Sequence, residues 1–339
     1  MKLPSIFAVA LLSMSFSTGF GRSLEDYLKS RYELHFVENM PAQVQSRILV
    51  ISTRYFKPEE NYSLKRGLQP RYKMFLFIAG LIGDQGYIKP LKNISEATQY
   101  LPSDRDFLVY VDGHGKTFEQ ALERGFELND RFTINMVVFD WPTDYMALRK
   151  TVNNADEVAA NFVIAMRELD VLHEKYYHSS AVSAVFHSMG NHILQNITNP
   201  HLISHMPQNL FNNIILNAAA VRQHNHAKWL EKLTIQERIY ITVNDEDRTL
   251  QGAKILRMAQ QLGLGYRGSM ASNARYVNFS NIATIEHNLF LGKSQIEKNN
   301  LNIFRFYDLA FHGKEVQFTD NTGFQIFNPS DINFLFSFR

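Results

Sequence analysis

Short unbroken apolar runs, each closed by a polar turn, recur along this chain and alternate with longer segments whose apolar residues fall at helical spacing. "SRILVISTRY" (46–55) carries Ile48, Leu49, Val50 and Ile51 in succession, the signature of a strand buried on both faces. "KMFLFIAGLIG" (73–83), "DFLVYVDG" (106–113), "INMVVFDWP" (134–142), "AVSAVF" (181–186), "NNIILNAAAV" (212–221), "RIYITVND" (238–245) and "RYVNFS" (275–280) read the same way. Between them, "KTFEQALERGFELND" (116–130) sets Phe118, Leu122 and Phe126 four residues apart, which predicts a helix. The segment 154–177 lines Val158, Phe162, Met166 and Leu169 along one face. Asn154 is its expected cap, with Glu157 three residues on. Further helices are predicted after Ser188, over 249–263 and over 300–311, with a short one at 93–101. Strands alternating with helices in this way predict a mostly parallel sheet with helices on both faces. Only residues 56–101 break the rhythm, as an insertion or an irregular edge.

Composition narrows the function class. A formal net charge of +2 without any block of like charge gives no electrostatic footprint for nucleic acid, so no nucleic-acid partner is expected. With no cysteine, disulfides and a lipid-modified cysteine are both excluded. The N-terminus pairs Lys2 with the apolar "SIFAVALLSMSF" and then the small residues of "STGFG", the grammar of a secretory signal peptide. The expected organisation is a leader over residues 1–21 and one domain over 22–339, exported to the periplasm or secreted. The alternative is a chain anchored by an uncleaved leader, the one expected route to a membrane.

In open parallel sheets, sites gather at the carboxyl ends of the strands. Polar residues cluster there at His187-Ser188, at Asn244-Asp245-Glu246-Asp247, at His287, and at Asp112-Gly113-His114. A serine hydroxyl attacks poorly until an imidazole takes its proton, and the imidazole needs a carboxylate to orient it. The order Ser, Asp, His along the chain is that of an α/β-hydrolase triad. "FHSMGN" (186–191) is close to the G-x-S-x-G elbow, which would hold Ser188 clear of the sheet with the Met189 N–H facing an oxyanion. A second N–H is expected from Gly113 or His114. His187 is expected to pack beneath the elbow, Trp141-Pro142 to shape the site mouth, and "HNH" (224–226), without a third ligand, to be a surface loop.

Three motifs, "VYVDGHGKTFEQA" (109–121), "VFDWPTDY" (138–145) and the elbow, resemble those of an uncharacterised bacterial α/β-hydrolase family. The resemblance runs from about Arg47 to about Phe290. It implies an α/β-hydrolase fold, with Ser188 as nucleophile and the Gly113 turn in the oxyanion hole. Aligning "NDEDRTL" with the family's acid loop places the acid at Asp247, with Asp245 as the possible alternative. His287 matches its late histidine. The implied activity is cleavage of a carboxylic ester, on a small-molecule or lipid-like acyl substrate, with no cofactor and no metal. The chain departs from the family pattern at Phe186, where a Gly or Ala is usual, and at Asp112, where the family has His. Glu286 replaces a Gly, and Ala218-Ala219-Ala220 stands for A-P-D. Phe186 and Asp112 motivate a second reading, a hydrolase-fold binding or interaction protein with impaired catalysis.

Overall fold

The apolar runs form the middle of one large sheet. The structure is a computed structural model that describes residues 31–57, 63–68, 73–143, 148–257, 259–265, 270–283, 285–291, 301–318, 324–327 and 335–338. The expected leader, residues 1–21, lies outside the described residues. The strands are β1 (Glu33–Phe36), β2 (Ser46–Ser52), β3 (Arg54–Lys57), β4 (Ser63–Leu68), β5 (Phe75–Ile82), β6 (Gln85–Leu91) and β7 (Phe107–Val111). They continue as β8 (Asn135–Asp140), β9 (Val182–His187), β10 (Phe211–Asn217), β11 (Gln236–Val243), β12 (Ala274–Asn278), β13 (Phe324–Phe327) and β14 (Leu335–Phe338). The helices used below are α1 (Phe118–Phe132), α2 (Leu148–Tyr176), α3 (Asn191–Ile197), α4 (Arg248–Arg257) and α5 (Leu301–Phe311).

Among the described residues the main sheet has twelve strands in the order β1-β6-β5-β2-β8-β7-β9-β10-β11-β12-β14-β13, and β3 and β4 form a separate pair. Every pairing from β2 through β8, β7, β9, β10, β11 and β12 to β14 is parallel. Antiparallel pairing is confined to the margins, at β2–β5, β5–β6 and β13–β14. The central strands β7, β8 and β9 are buried along their whole length, as unbroken apolar runs require. Alternate residues feed two cores: Val109 and Val111 of β7 face one, Leu108 and Tyr110 the other. α2 and α3 cover the first face, while α1 and α5 cover the second.

Several expectations change in detail. The strand read over 46–55 ends at Ser52, and Arg54 starts the separate hairpin. The described part of 56–101 is built of hairpins, β3–β4 and β5–β6, with a 3-10 turn at Ile94–Gln99 in place of a helix. α2 begins at Leu148, so Asn154 is interior and its amide donates to Pro142 O at 2.9 Å; it is no cap. α1 begins instead with a capping box, in which Thr117 and Gln120 bond each other's main chain. The segment 249–263 is helical only to Arg257 and resumes as a short turn at Leu262–Leu264. Among the described residues no helix is long and apolar enough to cross a membrane.

Candidate active site

From β7 the chain crosses to β8 on one side and then returns to β9 on the other, so neighbouring β7 and β9 mark a point where the order reverses. Such a switch opens a crevice at the strands' carboxyl ends. The two ends approach closely there. A Cβ on Gly113 would sit 2.7 Å from Ser188 Cβ, so only glycine fits. Ser188 has φ 50°, a left-handed backbone that costs a non-glycine residue of order 1–3 kcal/mol and persists only when its surroundings enforce it. Those surroundings are visible. Asn191 donates its amide to Phe186 O at 2.8 Å and to Ser188 O at 3.0 Å, and Ala220 N–H donates to Ser188 O at 3.1 Å. A Cβ on Gly190 would lie 2.7 Å from both Val111 O and Asp112 O. The crowded flank of the elbow is therefore the Gly190 side. Phe186 continues the in-and-out alternation of β9, fully buried with its ring 5.4 Å from that of Phe162 on α2. Its size is absorbed by the core and does not spoil the turn.

On the far side of β11, the carboxylate of Asp247 is enclosed and meets His287 Nδ1 at 2.6 Å. Its other oxygen accepts from Leu250 N–H at 3.0 Å, which fixes the carboxylate at the start of α4. Asp245 is exposed. Its N–H donates to Ser280 Oγ and its carbonyl accepts from Gln251, so the carboxylate on His287 is that of Asp247. The His287 ring lies 4.7 Å from the ring of His187, the residue before Ser188. Among the described residues, no hydrogen bond joins Ser188 Oγ to His287. Glu286, beside His287, has its carboxyl pushed up by burial and by the charge of Asp247.

His187 is buried beneath the elbow, as read from the sequence. Burial, with help from the nearby positive charges of His287, Arg124 and Lys116, holds its pKa well below the ordinary value, so it is a neutral ring. Asn217 Nδ2 lies 3.0 Å from its Nδ1, which makes Nδ1 the acceptor and puts the proton on Nε2. Asn217 is held in turn by Tyr307 and Thr242. A neutral imidazole therefore lies beside the His287 ring.

The turn after β7 departs from expectation. Gly113 N–H donates to Asp112 Oδ1 at 2.7 Å, so this donor, expected in an oxyanion hole, is engaged by the neighbouring carboxylate. The next N–H, that of His114, and the Met189 N–H at the elbow are the other expected donors; Met189 is buried and the His114 ring contacts Thr151 Oγ1 at 3.0 Å. Asp112 O accepts from Trp141 Nε1 at 2.9 Å, so Trp141 is a tether of the turn and is buried, where a mouth residue was expected. Further along, Thr143 bonds both the N–H and the carbonyl of Lys116. Arg54 Nη2 reaches Lys116 O and Trp141 O, both at 2.9 Å, while its Nε lies 2.9 Å from both oxygens of Asp140. Neither Arg54 nor Asn191 was assigned a role from the sequence. An arginine closing a buried apolar strand, and the Asn that ends "HSMGN", are the signals that mark them.

"HNH" divides: His224 is exposed, but His226 is buried between Gln223 O and Tyr276 OH, which corrects the surface-loop reading for that residue. No group of metal-binding side chains occurs among the described residues. A parallel sheet with a strained serine at its switch point and an Asp–His pair on later strand ends defines an α/β hydrolase fold. The chain belongs to a family described as alpha/beta hydrolases of unknown function (DUF900), which matches residues 93–303. No curated protein matches it. Among solved structures it is similar to carboxyl esterase 2 from the mycorrhizal fungus Tuber melanosporum. The identity is 11% and the TM-score 0.42, over 92% of this chain and 100% of that one.

Proposed function

We propose that the protein is a serine hydrolase that cleaves carboxylic esters through an acyl-enzyme. The observation that carries this reading is the buried Asp247 carboxylate on His287 Nδ1, with the His287 ring beside the elbow that strains Ser188. Ser188 Oγ attacks the carbonyl carbon while His287 Nε2 takes its proton. The Oγ–C bond forms and the carbonyl electrons move to oxygen, facing the N–H groups of Met189 and His114. Collapse breaks the ester C–O bond, and His287 returns the proton to the leaving alcohol. Water, deprotonated by the same histidine, then frees the acid. Asp247 fixes the tautomer and stabilises the imidazolium. Catalytic hydrogen bonds often tighten only when substrate binds, which is how the Ser188–His287 contact forms here.

The chemistry calls for no metal or organic cofactor, and its partner is a small-molecule or lipid-like acyl compound. Export through the N-terminal leader belongs to the same proposal. The experiment is labelling of the purified chain by a fluorophosphonate, beside Ser188→Ala and His287→Ala. Labelling abolished in both variants supports an activated serine, and acyl esters of graded length then define the substrate. A folded wild-type chain that does not label refutes the proposal and favours the binding-protein reading.

A further inference from the structure

The residue before the proposed nucleophile is packed against the segment that carries the proposed base. His187 ends β9 and Asn217 ends β10, and the two are directly paired in the parallel register. Their side chains therefore leave the sheet side by side, on the face of Val185, Ile215, Phe290 and Tyr307. The pairing brings the Asn217 amide nitrogen to 3.0 Å from His187 Nδ1. The oxygen of the same amide accepts from the Tyr307 hydroxyl of α5 and from the Thr242 hydroxyl of β11. Two hydroxyl donors on the oxygen leave the NH2 group for the imidazole, which sets the direction of the amide and the plane of the ring. His187 is 3% exposed, so the ring is held inside the fold.

That ring meets the 287–290 segment twice. The ring of His287 lies 4.7 Å away, tilted by 58°, and that of Phe290 lies 5.4 Å away, edge-on at 80°. Phe290 is in turn packed against Tyr307 at 5.8 Å and Tyr110 at 6.0 Å. Tyr307 thus steadies both the amide that holds His187 and the phenyl ring beside it. One side chain joins the elbow, through its peptide bond to Ser188, to the imidazole that Asp247 bonds at Nδ1.

We propose that His187 is a positioning residue for His287: its ring, set by Asn217, fixes how far the base stands from the elbow and how its imidazole is tipped. This rests on the serine-hydrolase reading. An imidazole bonded only to Asp247 can still swing about that bond, and contact with a second, held ring removes the freedom. Because the supporting ring belongs to the residue next to Ser188, any shift of the elbow carries the support with it. His187 takes no proton in the reaction. What it contributes is a ring in one place.

The test is the kinetics of fluorophosphonate inactivation of the full chain, separated into reversible affinity and the maximal rate of bond formation, beside urea unfolding of the same variants. His187→Asn keeps an acceptor for Asn217 but ends short of the His287 ring. It is expected to slow bond formation by about tenfold or more with affinity unchanged. His187→Phe keeps a ring there and leaves the Asn217 donor unpaired, so it is expected to lose stability yet recover most of the rate. A residue with a structural role only would give a rate that follows stability. A folded His187→Asn chain that reacts like wild type overturns the proposal, as does a folded His187→Phe chain as slow as His187→Asn. Should either variant fail to fold, 15N spectra of the histidine-labelled wild type decide. His187 as a single Nε2–H tautomer supports the proposal, and an Nδ1–H tautomer or a mixture refutes it. A wild type that never labels overturns the hydrolase reading itself. A labelled wild type with an indifferent His187→Asn overturns only the role of His187.

Discussion

Arg54→Met should destabilise the protein far more than an arginine at the end of a strand would suggest. The side chains of Arg54 and Asp140 are 3% and 1% exposed. Arg54 is the cation on Asp140, and it also satisfies the carbonyls of Lys116 and Trp141. Removing it leaves a buried carboxylate with the Ser52 hydroxyl, 2.6 Å away, as its remaining side-chain donor among the described residues. Breaking one partner out of a buried ion pair costs about 3–5 kcal/mol, mostly as the penalty for the charge left behind. Asp140→Leu should cost a similar amount, because it strands the guanidinium. The double variant buries no charge, so it should be more stable than the sum of the singles by about 2 kcal/mol or more. Urea unfolding of the four chains measures this, with the slope against urea checking that the unfolded state is comparable. Because Arg54 also holds the Lys116 end of the Gly113 turn, both singles should label more slowly with a fluorophosphonate if that turn serves the proposed site. A coupling energy below about 0.5 kcal/mol would refute the claim that this pair is desolvated and holds three strand ends together.

Three more outcomes follow from the geometry. Gly190→Ala places a Cβ 2.7 Å from two main-chain carbonyl oxygens, and a displacement of that kind beside the proposed nucleophile should cost about a hundredfold in rate; wild-type labelling kinetics would contradict it. Asp247→Asn should slow labelling by about 10⁴-fold through the wrong histidine tautomer, whereas Asp245→Asn leaves it near wild type; the reverse result would move the acid. Stability should fall on acidification from about pH 7.5 to about pH 5.5, because the pKa values of His187 and His226 are both lowered by burial. Below their unfolded pKa, near 6.5, the unfolded chain binds protons that the folded chain refuses. The loss therefore deepens until the folded values are passed. Unfolding free energies that stay level over that range would show that neither ring is held neutral.

The parallel core was legible because its strands are buried on both faces and cannot afford a polar residue mid-run. β2 and β5 and β7 to β12 all coincide with apolar runs. The strands that escaped notice lie toward the margins of the sheet or in the separate β3–β4 pair. β1 has one exposed and three half-buried positions, and β6 alternates in a run that contains Pro90, so their existence depends on a neighbour's hydrogen bonds more than on their own pattern. Asn154 failed as a cap for a related reason: the stripe from Val158 to Leu169 marks only part of the helix, and α2 begins more than a turn earlier, at Leu148.

At the site, positions were easier to read than roles. Ser188, Asp247, His287 and the Gly113 turn fall at strand ends, and strand ends can be found from hydrophobicity alone. What a side chain does there depends on which neighbour the fold supplies. Phe186 and Asp112 looked like marks of decay because the sequence shows a large residue and a negative charge without their surroundings. Phe162 from α2 receives the one, and the Gly113 N–H bonds the other. The elbow requires a small residue only where two backbones meet, and the alternation of β9 turns Phe186 away from that contact and leaves it to Gly190. A departure from a family motif is evidence of lost function only when the contact the motif protects is itself lost. Here the close approach at Gly190, the strain at Ser188 and the Asp247–His287 pair are all present, so the departures count for less than the geometry they left in place.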